Sequence, residues 1–371
     1  MSREKCSVFC VCEKKVVPLS RKKYSRMTDF ELYMHRCLQL ARLGEYYVAP
    51  NPMVGAVLID DGCGKATDVE RASFRILGEG WHMQYGGPHA EPNCLRNAEE
   101  RYAEDIDYKR CTLYVSLEPC SHYGKTPPCA ELIINKGIGR VVIGCLDPNP
   151  RVAGRGVKMM QDAGIEVVVG VLEEECRELN KRFICLQEKK RPYVILKWAQ
   201  TGDGYIDIER TGGSPLVIST PLMKQLVHEQ RAENMAIMVG TRTVLLDNPR
   251  LMTTHWSGRH PIRITLDRHG VLPSGSRIFS DEAETIIYRE NTHWEYVLED
   301  LGKRNIHSVL VEGGATLLNN IIASGIYDEV HIEVSDKEIG KNQKGVKAPL
   351  YECRTSPRII DGHRVYVEKN L

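Results

Sequence analysis

Three prolines each stand directly before a residue able to ligate a metal: Pro88-His89, Pro119-Cys120 and Pro128-Cys129. For an imidazole and two thiolates to share one ion, three separate stretches of chain must end close together, and this restricts the fold more than any other feature. A layered α/β sheet meets the demand, because its loops at strand ends and helix starts gather along one edge. The surrounding pattern agrees. Met53 to Ile59, Ile76 to Gly80, Cys111 to Leu117, Arg140 to Leu146 and Ile165 to Val169 read as short apolar strands, with helical stretches between them.

The folded part is expected to begin at Met27. Thr28 and Glu31 form a capping-box pair, followed by Phe30, Met34, Cys37 and Ala41 at helical spacing and by Gly44 as a stop. Met1 to Arg26 is basic, carries Cys6, Cys10 and Cys12, and lacks periodicity, so it reads as an unordered extension. Glu173 to Arg191 forms a polar, helix-like connection ending before Pro192. A second α/β pattern follows, with strands at Tyr193 to Trp198, Met235 to Val239, Ile262 to Leu266, Ser308 to Val311 and Glu329 to Val334. Helices are expected from Pro221 to Ala232 and from Ala315 to Ala323. The expectation is therefore an extension over 1–26, one domain over 27–172, a connector over 173–191 and a second domain over 192–371, which suits a chain of 371 residues.

One imidazole and two thiolates make a three-ligand zinc set, and a fourth position left to water distinguishes a catalytic zinc from a closed structural one. Pro88 predicts a helix start that places His89 and Glu91 in the first turn, where Pro92 is also tolerated. Both cysteines are likewise expected to open helices, where the thiolate form is favoured. Glu91 is then positioned to take a proton from water and pass it to a departing amine, the work of a hydrolytic deaminase. Cys94, the nearest fourth donor, lies five residues on from His89 and is expected to point elsewhere.

Charge and cysteine content narrow the alternatives. Fifty Lys and Arg against 49 Asp and Glu supply no general field for a polyanion, and 7% aromatic residues offer no stacking stripe, which argues against a base deaminase acting on nucleic acid. No run approaches the roughly 18 apolar residues of a membrane span. Thirteen scattered cysteines suit a reducing compartment, so a soluble cytoplasmic protein is expected, without membrane or nucleic-acid partners.

The wording around the ligands carries a resemblance. Glu118-Pro-Cys-Ser-His-Tyr-Gly-Lys-Thr-Pro-Pro-Cys129, Pro50-Asn51-Pro52-Met53-Val54-Gly55 and Asp147-Pro-Asn-Pro-Arg-Val-Ala-Gly-Arg-Gly156 resemble the bifunctional riboflavin-biosynthesis deaminase/reductase family. The ligand spacing is longer than the Pro-Cys-x-x-Cys of zinc deaminases in general. The resemblance implies a cytidine-deaminase-like three-layer domain acting on 2,5-diamino-6-(5-phosphoribosylamino)pyrimidin-4-one, with Asn51, His122 and Lys125 holding substrate.

The second half extends it. Lys197-Trp-Ala-Gln-Thr-Gly-Asp-Gly204, Val239-Gly-Thr-Arg-Thr-Val-Leu-Leu-Asp-Asn-Pro249 and Ser308-Val-Leu-Val-Glu-Gly-Gly-Ala-Thr-Leu-Leu318 look like the reductase of the same family. It implies a dihydrofolate-reductase-like domain using NADPH to reduce the ribosyl group to ribityl. Ala199, Thr243, Asp247, Gly314, Ala315, Thr316, Leu317, Leu318, Asn319 and Asn320 would border NADPH, while Arg231, Leu251 and Glu312 would face substrate. The glycine pair before a helix is also a plain strand-to-helix turn when read alone. Thr254 stands where the family carries an arginine, leaving Arg250, Arg259 and Arg263 as the nearby cations, and Trp198, Gly202, the excursion from Asp61 to Arg75 and the Lys-rich stretch from Asp336 to Gly345 also depart from the family. These departures keep two other readings open: a deaminase with an inert or redirected second domain, and a non-catalytic zinc-stabilised binding protein. The family also implies a homo-oligomer.

Overall fold

The structure, a computed structural model, describes residues 28–63, 75–103, 105–123, 127–149, 153–340 and 344–370. The extension over 1–26, most of the excursion after Asp61, and Lys125 lie outside the described residues.

The first domain opens with helix α1 (Asp29–Ala41), whose capping box forms as expected: Glu31 N–H donates to Thr28 Oγ1 at 3.3 Å, and Thr28 N–H donates to Glu31 Oε2 at 2.8 Å. Five strands follow in one sheet: β1 (Gly55–Asp60), β2 (Arg75–Trp81), β3 (Cys111–Leu117), β4 (Arg140–Cys145) and β5 (Glu166–Val169). Their order is β2-β1-β3-β4-β5, with β1 antiparallel to both neighbours and β3, β4 and β5 parallel. Alternation along each strand feeds two cores. Ala56, Leu58, Leu113, Val115, Val141 and Ile143 pack with helices α2 (Ala90–Tyr102), α3 (Cys129–Lys136) and α4 (Arg155–Asp162). Val57, Ile59, Tyr114 and Val142 face the other way, against α1 and Cys176 of helix α5 (Glu173–Leu179). The result is three layers.

Close approach of α2 to β2 depends on glycine. A Cβ on Gly80 would lie 2.2 Å from the Cys94 amide nitrogen, and one on Gly78 would lie 2.4 Å from the Cys94 carbonyl oxygen. The missing side chains let α2 lie against the sheet, which sets the depth of its first turn.

The expected single connecting stretch is two helices, α5 and α6 (Lys181–Lys189), broken at Asn180. Asn180 leaves the helical path because its amide is engaged: Oδ1 accepts from Met53 N–H at 2.8 Å and Nδ2 donates to Met53 C=O at 2.9 Å. Ion pairs then bind the connector to the second domain, from Lys181 to Glu329, Arg182 to Glu233 at 3.0 Å and Arg191 to Asp328 at 2.6 Å.

In chain order the second domain comprises β6 (Tyr193–Gln200), β7 (Tyr205–Ile208), α7 (Pro221–Glu233), β8 (Ala236–Val239), α8 (Thr241–Asp247), β9 (Ile262–Leu266) and β10 (Thr285–Tyr288). It continues with α9 (Trp294–Lys303), β11 (Ser308–Val311), α10 (Ala315–Ser324), β12 (Glu329–Val334), β13 (Gly345–Lys347), β14 (Arg358–Ile360) and β15 (His363–Lys369). Eight strands form one sheet ordered β10-β9-β8-β11-β6-β12-β15-β14, parallel from β10 to β12 and antiparallel beyond. β7 and β13 pair separately as a ribbon. Two departures noted in the sequence have packing reasons. Trp198 is buried edge-on to Tyr351 and donates Nε1–H to Gln200, and Gly202 approaches Ser335 closely while its N–H donates to Lys337 C=O. No helix of the described residues is long and apolar enough to cross a membrane.

Candidate active sites

At one edge of the five-stranded sheet, three chain segments converge. His89 is the N-cap of α2, Cys129 opens α3, and Cys120 lies in the loop after β3. The expectation that Cys120 also opens a helix is corrected: Cys120 and the described residues after it as far as Tyr123 are irregular, and the Cys120 sulfur gains stabilisation from the Cys129 N–H, which donates to it at 3.3 Å. His89 Nδ1 lies 3.7 Å from Cys120 Sγ and 3.4 Å from Cys129 Sγ, and the three ligand atoms all fall within 4.8 Å of one another. Those spacings suit the edges of a tetrahedron built on bonds of roughly 2.0 Å to nitrogen and 2.3 Å to sulfur.

The charge states follow from crowding. Contact with the Cys129 thiol, then with His89, pulls Cys120 down to about 4, so this sulfur is a thiolate. The same contact and burial push Cys129 up, the two sulfurs resisting a second negative charge. His89 rises to about 9, chiefly through Cys120. Glu91, in the first turn of α2, is 3% exposed and rises to about 7 because burial penalises its charge. A carboxyl near neutrality can both accept and return a proton. Cys94 points away as expected, its thiol donating to Gly78 C=O at 3.3 Å.

Three supporting residues had not been singled out from sequence. Glu118 is buried before Cys120 and accepts from the N–H groups of Asp147, Gly154, Gly156 and Val157 at 2.9–3.3 Å, tying Asp147 and the start of α4 to the segment that carries Cys120. Asn93 donates Nδ2–H to Trp81 C=O at 2.8 Å. His82 lies edge-on to His89 and 3.1 Å from Asn51. Their only sequence signal was a polar residue near a ligand. Asn51 is half-buried at this edge, and His122 is exposed in the same loop as Cys120.

The second domain holds a cavity of about 800 Å³ along the C-terminal ends of its parallel strands. Ala199, Thr243, Asp247, Gly314, Ala315, Thr316, Leu317, Leu318, Asn320, Arg231 and Glu312 all line it. Gly314 has φ +73°, a conformation that favours glycine, and begins α10 beside the Thr243 hydroxyl. Asn319 does not line the cavity; its Oδ1 accepts from Leu350 N–H at 3.1 Å. Leu251 is corrected as well, since its side chain packs into the core with Ile237, Val239, Val244 and Ile278, leaving only its backbone for any contact with a ligand.

The carboxylates of this cavity are held by arginines. Arg231 grips Glu312 with two hydrogen bonds, at 2.9 and 2.6 Å, and also donates to Met252 C=O. Despite burial, Arg231 and Lys197 hold the Glu312 carboxyl below its ordinary value. Arg210 bridges Asp207 and Asp247. Lys197 and His228, also missed, line the same space; burial lowers Lys197, and burial, Arg231 and His255 bring His228 down to about 4.

The three arginines considered in place of the one absent at Thr254 are committed elsewhere. Arg250 pairs with Glu282, Arg259 donates to Ala49 C=O at 2.7 Å, and fully buried Arg263 bonds Ser280 and its surroundings. Thr254 N–H instead donates to His228 Nδ1 at 3.0 Å.

A buried carboxyl beside an imidazole–dithiol cluster, joined to a separate dinucleotide-sized cavity at strand ends, defines a zinc deaminase fused to a reductase. Comparison with known proteins agrees. Residues 27–145 match the family described as the cytidine and deoxycytidylate deaminase zinc-binding region, and residues 192–355 match the RibD C-terminal domain. The riboflavin biosynthesis protein RibD of Actinobacillus pleuropneumoniae is 36% identical over 361 residues, covering 90% of each chain. That of Escherichia coli is 35% identical over 351 residues, 85% of this chain and 90% of the relative. Among solved structures, a diaminohydroxyphosphoribosylaminopyrimidine deaminase/5-amino-6-(5-phosphoribosylamino)uracil reductase from Thermotoga maritima superposes with a TM-score of 0.78 at 38% identity, covering 91% of this chain and 97% of that one. Acinetobacter baumannii RibD gives 0.77 at 31% identity, over 91% and 98%. The chain belongs to the RibD family and is a bifunctional deaminase and reductase of riboflavin biosynthesis, with zinc and NADPH as its cofactors.

Proposed function

We propose that the first domain, over 27–172, deaminates 2,5-diamino-6-(5-phosphoribosylamino)pyrimidin-4-one and that the second, over 192–371, reduces the ribosyl group of the product to ribityl, with 173–191 connecting them. The observation that carries the first assignment is the convergence of His89, Cys120 and Cys129 beside buried Glu91.

His89, Cys120 and Cys129 would hold zinc, and their donor types and spacing fit it. When bound, zinc supplies the Lewis acidity that lets water act as a nucleophile near neutral pH. Glu91 accepts a proton as water adds to the amine-bearing ring carbon. It returns that proton to the nitrogen as the carbon–nitrogen bond breaks, and ammonia leaves. Asn51 and His122 border the substrate, as does Lys125, which is outside the described residues.

In the second domain Ala199, Thr243, Asp247 and the Gly314–Asn320 segment would border NADPH, with Asn319 acting through its backbone or through the loop it holds. Arg231 and Glu312 would fix the sugar of the intermediate, and Leu251 would contribute backbone. NADPH supplies the hydride; the protein's part is orientation. The carboxylates of this cavity are already locked to Arg231 and Arg210, which suits positioning better than proton transfer. A cytoplasmic, soluble homo-oligomer without nucleic-acid or membrane partners completes the reading.

The test is to follow ammonia release and NADPH oxidation together on the phosphoribosylated diaminopyrimidinone. Ammonia followed by NADPH consumption is expected. Absence of ammonia with zinc bound would refute the deaminase assignment, and ammonia without NADPH oxidation would refute the assignment of the second domain.

A further inference from the structure

Asn51 can meet a ligand with either end of its amide, an acceptor oxygen or a donor NH₂, and the two choices select opposite chemistry. The backbone around it leaves little freedom. Asn51 N–H donates to Val48 C=O at 2.9 Å, Met53 is held through both its N–H and C=O by Asn180, and Arg259 of the second domain holds the Ala49 carbonyl. What remains open is rotation of the amide itself.

His82 settles it. The ring is buried at 2% exposure, with Nδ1 2.9 Å from Pro88 C=O and Nε2 3.1 Å from Asn51 Nδ2. A carbonyl oxygen only accepts, so Nδ1 must carry the proton. No carboxylate of the described residues bonds the ring, and its neighbours are the Asn51 amide, the Pro88 carbonyl and the His89 imidazole. On the other side of the ring, Nε2 faces the Asn51 Nδ2, an amide nitrogen that only donates. Nε2 therefore offers a lone pair, and only the NH₂ end of Asn51 can satisfy it. The amide oxygen is then turned away from His82, and no side-chain or backbone donor of the described residues bonds it.

We infer that His82 is a positioning residue that fixes the Asn51 amide with its oxygen presented to the ligand. This rests on the reading of Asn51 as a substrate contact. The site thereby favours a ligand edge carrying an N–H or O–H, an amino group or a sugar hydroxyl, over one presenting a carbonyl. A carbonyl there would set lone pair against lone pair.

The test uses the full-length zinc protein. His82→Phe keeps an aromatic ring beside His89 but removes the acceptor, and the Pro88 carbonyl retains the Asn93 amide as a donor. The variant is expected to raise KM for deamination about tenfold while kcat stays within about threefold, the scale of one hydrogen bond to the substrate. Asn51→Ala should raise KM similarly, and adding His82→Phe to it should change KM by less than about twofold, because both act through one contact. Zinc content should match that of the parent. An unchanged KM in His82→Phe, full additivity with Asn51→Ala, or loss of zinc together with kcat would overturn the inference, the last by showing that His82 serves His89 instead. Nitrogen-15 NMR of histidine-labelled protein, with the His82 signal assigned from the variant, supplies a readout independent of substrate. The Nδ1–H tautomer is expected; the Nε2–H tautomer or a doubly protonated ring would overturn it. Failure of the parent to release ammonia while that tautomer is observed would refute the substrate reading and leave the His82–Asn51 pair intact.

Discussion

The two sites of this chain treat charge in opposite ways. In the first, the ionisable groups are crowded and perturbed: two sulfurs contend over one negative charge against the raised imidazole of His89, and Glu91 is lifted by burial with no lysine or arginine paired to it among the described residues. In the second, every carboxylate lining the cavity is matched at short range, Glu312 with Arg231 and both Asp207 and Asp247 with Arg210, while Lys197, Lys224 and Arg242 line it without an ion pair among the described residues. A site of one imidazole and two sulfurs, without lysine or arginine paired to them among the described residues, is completed by a metal ion and can move protons. A site whose carboxylates are already neutralised holds a shape and leaves the reaction to a bound cofactor. The lesson is that perturbed ionisation marks proton chemistry, whereas paired ionisation marks positioning.

The largest expected effect tests the first half of that contrast. Glu91→Gln should lower ammonia release by about 10³-fold, within the range for loss of a general acid–base group, with zinc still bound. NADPH oxidation on the deaminated intermediate should be unaffected; a parallel loss would break the separation between the sites. Next, Glu312→Gln should reduce kcat/KM for reduction by about 10- to 100-fold by removing the charge that holds Arg231, and leave ammonia release alone. A reductase indifferent to this change would mean that the pair is structural only.

A smaller effect concerns pH. His307, directly before the central strand β11, is buried and its pKa is pushed down to about 3, first by burial and then by Arg182 and Arg259. The unfolded state takes up this proton near the ordinary histidine value of 6.5, and the folded state does not. The stability contributed by the neutral ring is therefore complete above about pH 6.5 and declines as pH falls toward about 3. His307→Gln should flatten this acid limb in urea unfolding followed by tryptophan fluorescence at several pH values. An unchanged slope would assign the acid sensitivity to other groups. The smallest effect is expected at the far end of the first domain, where Thr28→Ala removes the cap of α1 and should cost about 1 kcal/mol in the same unfolding assay. Neither activity should change.

The strands that carry the sites were legible. Cys111–Leu117, Ile262–Leu266, Ser308–Val311 and Glu329–Val334 form with the boundaries expected, because runs of β-branched and other apolar residues between polar punctuation encode a buried strand locally. The α1 cap was equally local, a matter of two residues three positions apart. Other elements were not. The β7–β13 ribbon pairs segments distant in sequence, and β7 alternates too weakly to declare itself. The break at Asn180 required Met53, which a reading of the polar stretch alone could not supply.

The sequence by itself determined the chemistry available: one imidazole, two thiols and a carboxylate at spacings that allow a metal site, and glycine-rich turns at strand ends. Residue type and near-neighbour spacing are covalent facts, so they survive without the fold. The tertiary structure decided which groups act. It buried Glu91 until its pKa approached neutrality, fixed Glu118 on four backbone amides, turned the Leu251 side chain into the core, and spent Arg250, Arg259 and Arg263 on other partners. Desolvation and hydrogen bonding depend on what packs around a group from distant parts of the chain, and only the folded arrangement specifies those neighbours.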